Sequence, residues 1–234
     1  MEYITILEKD EYKITKNKRD YNIFNIFFYN IFNREKLINS FIKTKIIRGA
    51  TVTNEYTLVT FNAKTIKTLN QFQEELWIKN KTKQLSFSAI LRMSYQISNQ
   101  LKYIIENYKQ TFLGYNKENI LVIDDTDFLY LPPNHDLYNI DDQDNVTITC
   151  PFNSKDFYLS PEMYKLKEIP SCIHYKCIYY SLGCLLIDCL QKEELKEYNP
   201  NIFLDNLLLK ETKLYYFIKR ALSEDPKNRF LLYI

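Results

Sequence analysis

The sequence predicts an α+β fold with strands in the first quarter and helices in most of the rest. Three observations carry this. Short runs rich in β-branched and aromatic residues fill the first sixty positions. After Phe61 apolar residues recur three or four apart, the helical spacing. A composition of 46% hydrophobic and 26% charged residues is that of a globular chain able to bury a sizeable core.

The elements follow in order. Tyr3-Ile4-Thr5-Ile6-Leu7 and Glu11-Tyr12-Lys13-Ile14-Thr15 read as two strands separated by a charged turn. Tyr21–Phe32 is strongly apolar and broken only by asparagines, as a buried strand is. In Arg34–Thr44 the period changes, with Leu37, Ile38 and Phe41 on one helical face. Lys45–Val52 and Tyr56–Phe61 form a second hairpin turning at Thr53-Asn54. Ser86 or Ser88 caps a long helix whose Ile90, Met93, Ile97, Leu101, Ile104 and Tyr108 make a wide apolar stripe. Ile120–Ile123 and Phe128–Leu131 are short strands around the turn Asp124-Asp125-Thr126-Asp127. Pro132-Pro133 then blocks regular structure, and residues 132–156 read as a polar surface loop. Helical patterns return at Pro161–Lys167, Ile178–Gln191 and Leu214–Leu222.

Five local signals occur in a fixed order across residues 88–229. Ile90–Tyr103 is similar to the long helix before a protein kinase catalytic loop. Asn116-Lys117-Glu118-Asn119-Ile120-Leu121 resembles the end of that loop and the strand after it. Leu159-Ser160-Pro161-Glu162-Met163 resembles the Ala-Pro-Glu motif. Tyr180-Ser181-Leu182-Gly183-Cys184 resembles the central buried helix of the larger lobe, and Asp225-Pro226-Lys227-Asn228-Arg229 a late Asp-Pro-x-x-Arg turn. The chain thus resembles the Ser/Thr protein kinase superfamily. That resemblance implies a bilobal kinase-like fold, with a reduced β-rich lobe at 1–61 and a mainly helical lobe at 62–234. The composition and short first lobe also resemble divergent kinase-like proteins of large DNA viruses.

The resemblance assigns roles position by position, and most chemical positions are vacated. Phe112-Leu113-Gly114 falls on the catalytic His-Arg-Asp, so Gly114 takes the place of the base. Asn116 replaces the lysine two positions later. Asn119 matches a metal ligand, although an asparagine entering a strand more often caps a turn, and the cap is the preferred expectation. The Asp-Phe-Gly position falls on Pro132-Pro133-Asn134; Asp127-Phe128-Leu129 matches it by letter but comes early. Residues 1–33 contain no glycine for a phosphate-covering loop. Tyr21–Phe32 has no lysine to pair with Glu35. Ile178 replaces the aspartate that holds the catalytic loop. Architectural positions are kept: Glu162 and Arg229 are expected to form a buried bidentate pair, and Gly183 marks the central helix.

The expectation is therefore a catalytically impaired kinase-like protein, a pseudokinase, that acts by binding a protein partner and needs no cofactor. Two alternatives remain open. One is an active, atypical Ser/Thr kinase that uses Mg-ATP, with Asp124, Asp125 or Asp127 taking over the metal. The other is a structural virion protein that keeps only the fold.

Composition excludes other classes. Lys+Arg 31 against Asp+Glu 29 leaves +2, too balanced to predict nucleic-acid or anionic-membrane binding. Cys172, His174, Cys177, Cys184 and Cys189 lack Cys-x-x-Cys spacing and read as free core cysteines rather than zinc ligands. The start shows no basic-then-apolar leader. Ile178–Leu190, the longest apolar stretch, contains Asp188 and is too short to span a bilayer. With five cysteines, these features predict an intracellular protein.

Overall fold

The computed structural model describes residues 2–29, 32–133, 136–152, 158–191, 200–206 and 209–232. The chain is mixed α+β with small antiparallel sheets. Strands β1 (Tyr3–Glu8), β2 (Tyr12–Asn17), β3 (Ile23–Phe28), β4 (Thr51–Val52) and β5 (Leu58–Asn62) form one sheet, in the order β1-β2-β3-β5-β4. Helix α1 (Arg34–Lys43) lies between β3 and β4 in the chain and buries Leu37, Ile38 and Phe41, the face set by its periodicity. The expected strand Lys45–Val52 forms only at Thr51–Val52. Lys45 turns left-handed at φ 60°, and Ile46 and Ile47 are buried before the strand begins.

A second, three-stranded sheet joins β6 (Ile66–Thr68), β8 (Ile120–Ile123) and β9 (Asp127–Tyr130) in the order β6-β8-β9. The hairpin β8–β9 is apolar on both faces because both are covered. Leu121, Ile123, Leu129 and Leu131 pack against the five-stranded sheet and α1. Ile120, Val122, Phe128 and Tyr130 pack against the helices. Its turn holds Asp124 and Asp125 at φ 53° and 58°, a conformation that aspartate tolerates better than most residues. Asp124 also accepts hydrogen bonds from the backbone N–H groups of Lys64 and Thr65.

The helical part is built on α3 (Phe87–Tyr108), capped by the Ser86 hydroxyl, and on α5 (Cys177–Leu190). Helix α2 (Leu69–Asn80) precedes α3, opened by a reciprocal capping box between Thr68 and Gln71. Helices α6 (Pro200–Asn206) and α7 (Lys213–Ala221) complete this side, α7 packing its Leu214, Phe217 and Ile218 into the core. The expected helix Pro161–Lys167 is one turn, α4 (Pro161–Tyr164).

The expected loop 132–156 is a correction. It contains β10 (Tyr138–Asn139), which pairs with β7 (Gln110–Thr111), and β11 (Asn145–Ile148), which pairs with β12 (Ser171–His174). Val146 and Ile148 point inward and join Leu159, Met163 and Ile173 in a small third core. Four residues with two buried side chains are enough to form a strand when a partner waits 25 residues on, at Thr147 opposite Cys172. No helix among the described residues is long and apolar enough to cross a membrane.

Candidate functional site

Residues 112–119 hold the positions that the sequence resemblance assigns to a catalytic loop, Gly114, Asn116 and Asn119 among them. Helix α3 ends in a left-handed Lys109, β7 follows, and the chain then drops into the interior: Phe112, Leu113, Gly114 and Tyr115 are all buried. Three rings close on one another there. Tyr130 makes edge contacts with Phe112 at 5.0 Å and with Tyr115 at 4.7 Å between centroids, geometries that add to the value of the buried area. The Tyr130 hydroxyl donates to the Gly114 carbonyl at 2.6 Å. Burial pushes the Tyr130 phenol up, so it remains a donor rather than a base. The gap beside Gly114, bounded by Phe112, Tyr130, Pro132 and Pro133, measures about 30 Å³, room for about one water molecule. Asn134, the third residue expected at the Asp-Phe-Gly position, lies outside the described residues.

The segment is tied to α5 by contacts that do not involve residue 178. Ile178 is fully buried and apolar. Three residues on, the Ser181 hydroxyl accepts the Tyr115 N–H at 2.8 Å. About two turns further along the helix, Asp188 takes both the Lys117 ammonium and the Tyr158 hydroxyl at 2.6 Å. Asp188 is almost wholly buried, so its charge is compensated where it would otherwise be costly. Tyr158 closes the ring, its N–H donating to the Tyr115 carbonyl at 3.2 Å.

Asn119 does not cap the turn, which corrects the preferred expectation. The turn is a 3₁₀ segment at Lys117–Asn119, so its cap is the residue before it: the Asn116 side chain accepts the Asn119 N–H at 2.9 Å. The Asn119 amide oxygen instead receives the Lys9 ammonium at 2.5 Å, and the same ammonium reaches the Glu118 carbonyl at 2.7 Å. Lys9 lies in the turn between β1 and β2. No sequence signal singled it out, because its partner lies 110 residues away.

Asp127 is not brought to Asn119. It sits at the start of β9, opposite Ile123, whereas Asn119 lies at the other end of the hairpin and accepts the Leu131 N–H through its carbonyl. The separation is about four residues along a strand, roughly 13 Å. Asp127 is occupied by α3: Arg92 donates to Oδ1 at 2.7 and 3.2 Å and Gln96 at 2.5 Å. Asp124 and Asp125 are engaged in the turn itself, Asp125 with Lys67 at 3.0 Å. Glu35 is exposed on the first turn of α1, and β3 turns Phe24, Ile26 and Phe28 toward the sheet's buried face.

The pair between Glu162 and Arg229 is bidentate, at 2.5 and 2.9 Å. Arg229 is wholly buried and also donates to the carbonyls of Ser223, Glu224 and Lys176. Its guanidinium lies 5.0 Å from the Tyr180 ring centre. At Gly183 an added Cβ would lie 2.9 Å from two carbons of Leu222, which explains the glycine where α5 crosses α7. Cys177, Cys184 and Cys189 are buried and Cys150 and Cys172 exposed. Among the described residues no three His, Cys, Asp or Glu side chains gather as a metal site.

An opening of about 820 Å³ lies beside this segment, between the five-stranded sheet and α2. Ile6 and Ile78 line it, and three of its lysines are already held by carboxylates: Lys67 by Glu75, Lys83 by Glu74 and Lys117 by Asp188. The chain matches no protein-family model, and a search of curated proteins returns no match.

Proposed function

We infer that the chain is a kinase-like protein without phosphotransfer activity that works by binding another protein. The observation that carries this is Gly114. In the kinase-like alignment it takes the place of the catalytic base, and its carbonyl is capped by Tyr130 in a gap of about 30 Å³. Glycine has no side chain to take a proton from a hydroxyl substrate at that position.

Several further features support a bilobal kinase-like architecture. Helix α1 follows the third strand, where the family carries its paired glutamate. The long α3 precedes the hairpin β8–β9, the buried α5 follows, and Glu162 grips Arg229. The first lobe would be residues 1–61 and the second residues 62–234.

The residues present do not fit Mg-ATP. The β1–β2 turn offers lysine and acidic side chains where close backbone approach to phosphates calls for glycine. The sheet face that would cover the nucleotide is filled by Ile14, Phe24, Ile26 and Phe28, in one apolar cluster with Leu121 and Leu129. A binding role draws on exposed apolar residues such as Trp77 and Ile78 on α2 and Phe87 at the start of α3.

The test is thermal unfolding of the full chain with ATP or ADP, with and without magnesium. No nucleotide-dependent rise in melting temperature is expected. A ligand present at about 100 times its Kd stabilises by about 2.7 kcal/mol, so a rise that grows with nucleotide concentration would overturn the proposal.

A further inference from the structure

The turn between β1 and β2 reaches across to the loop before β8, a contact that neither strand pairing nor core packing requires. Lys9 holds it from one side through two hydrogen bonds, to Asn119 Oδ1 and the Glu118 carbonyl. The turn is itself braced. The Lys9 N–H donates to the Tyr12 carbonyl at 2.9 Å, and the Tyr29 N–H donates to the Glu11 carbonyl at 2.8 Å. Tyr12, the first residue after the turn, is almost fully buried against Phe28, and its hydroxyl has no hydrogen-bond partner among the described residues. A buried hydroxyl left unpaired carries a desolvation cost. That cost falls away when the turn lifts and water reaches the ring.

We propose that the β1–β2 turn is a latch, closed by the Lys9 ammonium on Asn119 and Glu118, whose release uncovers Tyr12, Asn119 and the mouth of the segment 112–119. Closing and opening each have one contribution in their favour. The ammonium gains two charge-assisted hydrogen bonds on closing, and the Tyr12 hydroxyl loses its water. Burial lowers the affinity of the Lys9 amine for its proton, and the carboxylates of Glu118 and Glu11 act the other way. The latch rests on contacts alone. Only one further point depends on the kinase-like reading: the ammonium then occupies the side of Asn119 that a divalent metal would take.

Amide hydrogen exchange on the full chain tests the latch, comparing the wild type with Lys9→Met, Asn119→Ala and the double variant. Each single variant is expected to raise exchange at Lys9 and Tyr29 by about tenfold or more. Amides of α3 and α5 should not change, and the double variant should add little to either single one, because both cut the same contact. Exchange at Tyr29 no faster than in the wild type overturns the latch. So does a rise shared equally by α3, which would make Lys9 an ordinary stabilising residue. These outcomes are independent of nucleotide binding, so failure of the latch and failure of the proposed function are separately visible.

Discussion

Replacing Arg229 with methionine keeps most of the side chain's length and removes its charge and all its donors. In the folded protein that guanidinium is fully buried and makes five hydrogen bonds, two to Glu162 and one each to the carbonyls of Ser223, Glu224 and Lys176. Breaking a buried pair by removing one partner costs about 3–5 kcal/mol, against about 0–1 kcal/mol for an exposed pair. The upper range applies here because three carbonyls lose a donor along with the carboxylate. Glu162 recovers part of the loss, since its side chain is 19% exposed and can turn toward water. The expected cost is about 3–4 kcal/mol, a large share of the roughly 5–15 kcal/mol that holds a domain together. Urea unfolding followed by far-UV circular dichroism reads it directly. With a slope of about 2–3 kcal/mol per molar, the midpoint falls by about 1–2 M at unchanged slope. A drop of under about 0.3 M would refute the reasoning, because it would place this pair with surface pairs despite its burial.

Two further predictions concern packing and pH. Gly183→Ala should destabilise by about 1–3 kcal/mol, since a methyl group 2.9 Å from Leu222 forces α5 and α7 apart. If the urea midpoint rises instead, as alanine's helix preference alone would dictate, the crossing is looser than described. His174 is lowered below its usual value of 6.5 by burial, then by nearby Lys176. Its Nδ1 accepts the Lys176 N–H at 3.2 Å, which a protonated ring nitrogen cannot do. The unfolded chain therefore binds the proton more readily, so stability is full above pH 6.5 and declines as pH falls through the lowered folded value. Melting temperature measured from pH 7.5 down to 5 should show this decline, and His174→Gln should flatten part of it. An unchanged profile in that variant would place the acid sensitivity elsewhere.

The elements that were legible in sequence share one property: their own residues decide them. The stripe from Ile90 to Tyr108 gives α3 and its Ser86 cap, and Leu37, Ile38 and Phe41 give the buried face of α1. Helix α2 escaped because its apolar residues are scattered around the helix, with Trp77 and Ile78 left exposed. Its capping box, Thr68 with Gln71, was the available signal. Strands β10 and β11 escaped because their partners are remote and their neighbours are aspartates that favour loops locally. The same division holds at the site. Glu162 and Arg229 are found from two short motifs. Lys9 has no motif, and its role exists only once the first hairpin is laid over the loop at Asn119. Asp127 misleads for the converse reason: a short word, Asp-Phe-Leu, imitates a metal-binding motif while tertiary structure gives the carboxylate to Arg92 and Gln96.

The hairpin β8–β9 carries a consequence for strand alignment. In most sheets a slip of one residue is prevented because it would turn apolar side chains to water. Here both faces are apolar, Ile120 and Val122 to one side and Leu121 and Ile123 to the other, so hydrophobicity alone does not distinguish the two alignments. The choice is left to the turn. Two successive left-handed residues fix where the chain reverses, and the Asp124 carboxylate anchors that point to Lys64 and Thr65. Two small aspartates thus decide which side chains face which core, and the opposition of Tyr130 to Gly114 follows from them.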